Sequence, residues 1–114
     1  MCNLAGYIGK KQAAPILIDI LKQQEGFGGG YYTGIATVHD GKLHYRKVIG
    51  AVDELLKQAD AMELPGTVGI IHARSKGFGD IHWGHPFVNP DENIAYVLNG
   101  HMGDFYADKT NERK

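Results

Sequence analysis

The sequence has one cysteine, no long apolar run and almost no net charge, and each shortage excludes a class of protein. A single cysteine cannot form an intramolecular disulfide, which fits a reducing compartment. No stretch approaches the ~20 apolar residues of a membrane-spanning helix, and the first residues lack the layout of a signal peptide. The 12 basic and 13 acidic residues are spread along the chain, without a basic run for nucleic acid or membrane. We therefore expect a cytoplasmic protein with neither of those partners.

Glycine, by contrast, is abundant. The chain has 16 glycines among 114 residues, which indicates tight turns and close approaches of the backbone. Apolar residues make up 43% of the sequence, enough for a core. The length suits one domain and is too short for two.

Local patterns predict the order β-α-β-β-α-β-loop-β. The predicted helices are 13–24 and 53–62, and the predicted strands are 3–9, 33–38, 42–49, 67–72 and 93–98. The last two strands are apolar on both faces, so we expect them in the sheet interior. Between them lies a loop, 73–92, whose length is typical of a functional segment. Because no element after Leu98 closes the architecture, residues 1–114 are expected to form the front part of a larger domain.

Cys2 is the first candidate for chemistry. A lone cysteine is most often a small buried apolar side chain. Once Met1 is removed, however, Cys2 carries a thiol and a free α-amine on one residue. An α-amine titrates near ~7.7–8.0 and can act as a base at neutral pH. The same residue could then supply both the nucleophile and its base.

Four short motifs accompany Cys2 in a fixed order. They are M-C-N-L-A-G-Y-I-G at the start, G-I-I-H-A-R at 69–74, H-P-F at 85–87 and V-L-N-G at 97–100. In this order they resemble the class II glutamine amidotransferases, whose glutaminase domains use an N-terminal nucleophile (Ntn). The branch with the most similar motifs is that of glucosamine-6-phosphate synthase. The resemblance covers about residues 1 to 105.

The resemblance implies a fold and an activity. The fold is α+β, an Ntn-hydrolase-type αββα four-layer sandwich, of which residues 1–114 would be the N-terminal part of a type-2 amidotransferase domain, incomplete at its C-terminus. The activity is hydrolysis of glutamine to glutamate and ammonia through a thioester on the cysteine. The ammonia would pass to an acceptor-substrate domain or subunit. No metal and no organic cofactor are implied, because thiol, amine and oxyanion donors suffice.

The resemblance also implies roles for single residues. Cys2 would be the nucleophile, and the Asn99 side chain with the Gly100 backbone N–H would form the oxyanion hole. Arg74 would bind the α-carboxylate of glutamine, a planar anion that suits a guanidinium. His85 matches a family histidine in the loop and is expected near the substrate. Considered singly, Asn99-Gly100 is an ordinary turn dipeptide and Arg74 a solvated arginine; their joint occurrence in order favours the functional interpretation.

The chain departs from the family pattern at several positions. Asn3 replaces the glycine that usually follows the cysteine, and 75–79 (S-K-G-F-G) replaces Trp-Ala-Thr-His-Gly. The segment 28–34 keeps only the glycines of Arg-Gly-x-Asp-Ser-x-Gly. Either glutamine is bound differently, or a different amide is the substrate, or further residues beyond 114 complete the site.

Three other interpretations stay open. His82 and His85 have an H-x-x-H spacing, but zinc sites need three or four ligands and this pair supplies two. The chain could also be a homologue that has lost catalysis and binds an amino acid or a partner protein. The replacement of the family residues at 75–79 and 28–34 suggests this. A structural domain with a fortuitous motif match is the third.

Overall fold

The fold is built on a four-stranded antiparallel sheet, seen in a computed structural model that describes residues 2–75 and 84–99. Two helices pack on one face of this sheet, so the predicted α+β class is confirmed. The elements are, in chain order, β1 (Asn3–Ile8), α1 (Ala13–Gln24), β2 (Tyr32–His39), β3 (Lys42–Ile49), α2 (Val52–Ala59), a 3₁₀ helix (Ala61–Glu63), β4 (Val68–Arg74), β5 (Phe87–Val88) and β6 (Ala95–Tyr96).

Strand β4 lies at the centre of the sheet, whose order is β1-β4-β2-β3. Its residues pair with β1 on one side, Asn3 opposite Ala73, and with β2 on the other, Thr33 opposite Ala73. The interior position predicted for this strand is therefore confirmed.

The two helices close one hydrophobic core over the sheet. One stripe of α1 is buried, as the apolar spacing predicts: Ala13, Ala14, Leu17, Ile18 and Leu21. It packs with α2 against Ile35 and Ile71, two fully buried residues that face each other in β2 and β4. Neither these helices nor any other helix in 2–75 and 84–99 is long and apolar enough to cross a membrane.

Strands β2 and β3 form a hairpin, as an Asp-Gly dipeptide between two β-rich runs predicts. His39 pairs with Lys42, which leaves Asp40 and Gly41 as a two-residue turn. Both have positive φ, 51° and 73°, as a type I′ turn requires.

The structure corrects the predicted end of α2. The helix stops at Ala59 rather than continuing to residue 62. Asp60 adopts the left-handed conformation, φ 48°, which an α-helix cannot continue through. A short 3₁₀ helix then replaces the predicted last turn.

The prediction of an interior strand over 93–98 is wrong. Only Ala95–Tyr96 is a strand, and it pairs with β5, which lies inside the predicted loop. Ile94, Tyr96 and Leu98 are more than half exposed. The physical reason is local: the Asn89 side-chain oxygen accepts the backbone N–H groups of Asn93 and Ile94 at 2.9 and 2.8 Å, which holds them in a turn.

The sheet face opposite the helices is covered in part by residues 84–86, which are buried. Gly34 on β2 makes this contact possible. A Cβ at Gly34 would overlap the carbonyl oxygen of His85 and lie 2.8 Å from Pro86 Cδ. The backbone of the 84–86 segment therefore rests directly on the β2 backbone.

We predict that Gly34→Ala destabilises the fold by about 1–3 kcal/mol, because the added methyl group has no space in a packed contact. Gly6→Ala is the matched control, since its Cβ would find only ordinary contacts at 3.8 Å and beyond. Urea unfolding of both variants tests this, and equal stability of the two would contradict the packing.

Candidate active site

The end of the sheet brings two of the predicted site residues side by side. Arg74 pairs with Tyr32 at the last rung of β4 and β2. On the other side, Asn3 pairs with Ala73, and the same register continued by one residue places Cys2 opposite Arg74. Because strand residues alternate between faces, Cys2 and Arg74 belong to the face away from the helices.

Asn99 connects the end of the described chain to its beginning. Its side-chain Nδ2 donates to the backbone carbonyl of Cys2 at 2.8 Å. Its Oδ1 lies 2.9 Å from Nε2 of His72 on β4. Swapping the two amide atoms would set oxygen against the Cys2 carbonyl, so both contacts fix the orientation of the carboxamide.

His72 is a fully buried polar side chain beneath Asn99. Its Nε2 also lies 3.2 Å from the backbone carbonyl of Leu98. Both neighbours are carbonyl oxygens, so Nε2 carries the hydrogen and donates to them. Burial lowers the pKa of His72, with the hydrogen bonds that His72 donates to Asn99 and Leu98 opposing and the Arg74 charge assisting that shift. The neutral imidazole is therefore the stable form at neutral pH.

His85, which belongs to the 84–86 segment on the sheet, stacks its ring on that of His72. The ring centroids are 3.9 Å apart with an interplanar angle of 30°, and the Phe87 ring centroid lies 4.4 Å from that of His85. Burial is the main cause that lowers the pKa of His85 to about 4, with smaller effects of His72, Arg74 and Lys47. Two neutral rings can stack closely where two charged rings would repel each other.

Arg74 is half-buried at the edge of this group. Its guanidinium carbon lies 6.0 Å from the centre of the Tyr32 ring, within the range of a cation–π contact. Its backbone carbonyl accepts the N–H of Tyr31 at 2.9 Å. The side chain of Arg74 thus contacts Tyr32 on β2, and its backbone is bonded to Tyr31, the residue before β2.

Asn3 is a buried polar residue beside Cys2 whose role the sequence did not indicate. Its Nδ2 donates to the carbonyls of Gln24 at 3.2 Å and Gly28 at 2.7 Å. The carboxamide therefore satisfies a carbonyl at the end of α1 and ties down the glycine-rich loop. Ser75 holds the same loop, since its Oγ accepts the N–H of Gly29 at 3.2 Å.

The structure gathers most of the predicted site residues on one end of one sheet face. Cys2, Asn99 and Arg74 lie together, and His85 reaches them through His72. Gly100 lies outside the described residues, as does His82 of the H-x-x-H pair. Across 2–75 and 84–99 no group of three metal-ligating side chains is close enough to hold an ion.

A cavity lies elsewhere on the same face. It has a volume of about 320 Å³ and is lined mainly by apolar residues, among them Ala36, Val38, Ile70 and Ile94. Its lining contains no ionisable side chain, and none of its residues belongs to the group around Cys2. The cavity is therefore separate from the polar side chains that surround Cys2.

His72 is the residue of this group that the motif interpretation missed. His72 and Arg74 are two residues apart and share a face of β4, but the predicted strand ended at residue 72 and so did not indicate this. Asn3 gave no signal either, since its partners are backbone carbonyls more than twenty residues away.

In comparison with known proteins, the chain is similar to a class of glutamine-dependent aminotransferases. No family model matches the chain. The chain is similar to glutamine–fructose-6-phosphate aminotransferase (isomerizing) from Pyrococcus horikoshii, at 36% identity over 107 residues. It is similar to the proteins of the same name from Clostridium acetobutylicum, at 33% over 113 residues, and Bacteroides thetaiotaomicron, at 38% over 104 residues.

These similarities cover 92%, 96% and 88% of the chain, respectively. They cover only 18%, 18% and 17% of the relatives, so the chain spans less than a fifth of their length. Glucosamine-6-phosphate synthase is another name of this aminotransferase. The resemblance inferred from the ordered motifs is therefore confirmed.

We predict that acidification destabilises the fold through His85. The folded pKa of about 4 lies below the ordinary value of 6.5, so the unfolded chain takes up the proton first as pH falls. Stability is full above pH 6.5 and falls toward pH 4, with a loss of about 1–2 kcal/mol between pH 7 and pH 5 after allowance for solvent screening.

Urea unfolding at the two pH values measures this loss, and His85→Phe is the informative variant. A phenyl ring keeps the stack on His72 but cannot be protonated. The loss on acidification should shrink in His85→Phe, and an equal loss in both proteins would contradict the assignment to His85.

Proposed function

We propose that the chain carries the nucleophile and part of the oxyanion hole of a class II glutaminase, which hydrolyses glutamine to glutamate and ammonia. The observation that supports it best is the bond from Asn99 Nδ2 to the carbonyl of Cys2, at 2.8 Å across 97 positions of sequence. It joins the proposed nucleophile to the proposed oxyanion donor. The similarity to glutamine-dependent aminotransferases supports the same substrate.

The proposed reaction begins after removal of Met1. The thiol of Cys2 attacks the side-chain amide carbon of glutamine, and the α-amine of Cys2 takes the thiol proton. The carbon–sulfur bond forms, the carbon–nitrogen bond breaks, and the relayed proton leaves with the ammonia. Water then hydrolyses the thioester, which releases glutamate and restores the thiol.

Asn99 suits the role of oxyanion donor because Nδ2 has two hydrogens. One is directed to the Cys2 carbonyl, and the second is available to an oxygen that develops negative charge at the attacked carbon. The backbone N–H of Gly100 is proposed as the second donor. Loss of one such donor typically costs about 10²–10³ in rate.

Arg74 is proposed to bind the α-carboxylate of the substrate. By the strand register it lies next to Cys2 and on the same face, so one small molecule could contact both. The Tyr32 ring limits the directions open to the guanidinium. His85 is proposed to support the substrate side of the site through its stack on His72.

The proposal extends to the architecture and to the acceptor. Residues 1–114 would be the N-terminal part of a type-2 amidotransferase domain with the αββα sandwich of Ntn hydrolases, in which a second sheet covers the face opposite the helices. The relatives are named for fructose 6-phosphate, so a sugar-phosphate acceptor domain or subunit is the proposed partner. We propose a cytoplasmic location and no cofactor for the glutaminase step.

One observation favours a second candidate, a homologue that binds an amino acid or a partner without catalysis. Ser75, which stands where the family has tryptophan, accepts a hydrogen bond from the glycine-rich loop. The residue after Arg74 thus holds the chain's own backbone. The labelling experiment below separates the two candidates, because only the glutaminase needs a reactive thiol.

We predict that a diazoketone analogue of glutamine labels Cys2 covalently. Intact-mass analysis of the full chain should show loss of Met1 and one adduct, and Cys2→Ser should show none. Cys2 is the only cysteine of the sequence, so no other thiol can give the signal.

Iodoacetamide provides the control for thiol access. If protein without Met1 reacts with iodoacetamide but not with the glutamine analogue, the glutaminase proposal is wrong. Glutamine-dependent stabilisation in that same protein would then support the binding module.

We predict that Arg74→Lys raises the KM for glutamine about 10- to 100-fold with a smaller change in kcat, because a lysine cannot form the paired hydrogen bonds. Ammonia release at varied glutamine concentration measures this. Arg46→Lys on β3 is the control, since Arg46 donates to the neighbouring carbonyl of Tyr45. The same KM in Arg74→Lys as in Arg46→Lys would contradict the role of Arg74.

A further inference from the structure

The carboxamide of Asn99 has a fixed orientation although the residue is exposed. An exposed asparagine ordinarily rotates about its terminal torsion, which is broad in side chains of this kind. Here one end of the amide is held by the Cys2 carbonyl and the other by His72 Nε2, at 2.8 and 2.9 Å. With both ends held, the remaining hydrogen of Nδ2 points in one direction.

His72 can hold Asn99 because the His72 ring is closely packed. It is fully buried on the central strand β4, and its ring stacks at 3.9 Å on His85. Gly34, the partner of His72 in β2, has no side chain that would displace the backbone of His85. A β-strand, a packed ring and a backbone contact therefore fix the position of Nε2.

The protonation state of His72 determines the direction of the hydrogen bond. Nε2 donates to two carbonyl oxygens, those of Leu98 and the Asn99 side chain. The other nitrogen, Nδ1, has no hydrogen-bond partner within the described residues, and the same holds for Nδ1 of His85. Donation into Oδ1 also polarises the amide and strengthens Nδ2 as a donor, since linked hydrogen bonds reinforce each other.

We propose that His72 is a positioning residue, which sets the carboxamide of Asn99 so that its second Nδ2 hydrogen, which has no partner among residues 2–75 and 84–99, is preorganised for the oxyanion. The expected effect of His72 on the rate rests on the proposed glutaminase function. The orientation of Asn99 rests only on the contacts of His72. Each part therefore has its own measurement.

Two substitutions of His72 differ in whether the new side chain can place a hydrogen-bond donor near the position of Nε2. His72→Gln places an amide donor near the position of Nε2, whereas His72→Asn is too short to reach it. In glutaminase assays of the full chain, His72→Asn should lower kcat about 10- to 100-fold with KM within about twofold. His72→Gln should recover most of the lost kcat. Equal kcat in the two variants would overturn the positioning role.

Nuclear magnetic resonance tests the orientation without any turnover. In the wild-type chain, the nitrogen shifts of His72 should identify the Nε2–H tautomer, and the Asn99 Nδ2 hydrogen that is bonded to the Cys2 carbonyl should exchange slowly with water. His72→Asn should speed this exchange at least about tenfold, because an Asn99 carboxamide that is no longer held at Oδ1 can turn its Nδ2–H away from the Cys2 carbonyl, whereas His72→Gln should not. An Nδ1–H tautomer in the wild type would overturn the proposal even if neither variant folds.

The two measurements also separate the proposals. Absence of ammonia release, together with slow exchange that depends on His72, would overturn the glutaminase proposal and support the positioning contact. Ammonia release with fast exchange at Asn99 in the wild type would support the glutaminase and overturn the positioning role.

Discussion

The register of β4 against its two neighbours is the constraint on which both the core and the site depend. Opposite Asn3 and Thr33 the strand presents Ala73 to the helices, and the alternation then assigns His72 and Arg74 to the other face. A slip of one residue would bury the arginine under α1 and expose Ile71. The fully buried Ile71 therefore fixes the register, and the same packing that stabilises the fold delivers two polar side chains to the end where Cys2 lies.

The sequence predicts well the parts of this protein that depend on local patterns. The buried stripe of α1 and the Asp40-Gly41 turn follow from spacing and turn chemistry, and both agree with the structure. The errors lie where the backbone conformation or the side-chain hydrogen bonds of a single residue decide. Asp60 ends α2 by its backbone conformation, and Asn89 binds the backbone of residues that the apolar pattern assigns to a strand. Neither effect changes the hydrophobic periodicity, so no periodicity argument could detect it.

The residues of the candidate site likewise divide into those that the sequence indicated and those that it did not. Ordered motifs indicated Cys2, Arg74 and Asn99, because residue type and order are visible in one dimension. The contribution of Asn3 was not visible, since it satisfies two backbone carbonyls and so leaves no pairing of side chains in the sequence. A glycine at this position could not make those bonds. The departure from the family pattern therefore corresponds to a structural contact that joins the start of β1 to the end of α1 and its loop.

The two stacked histidines impose an electrostatic condition on any anionic chemistry at Asn99. Both rings have lowered pKa values, mainly through burial, so both are neutral where the thiol and amine of Cys2 would operate. A neutral His72 donates one hydrogen from Nε2 and keeps the amide polarised without adding a full positive charge. A second protonated ring would instead repel the first and disrupt the stack. The stack of two neutral rings supports the Asn99 carboxamide over the pH range in which the pair stays uncharged, which links the stability of the fold to the geometry of Asn99.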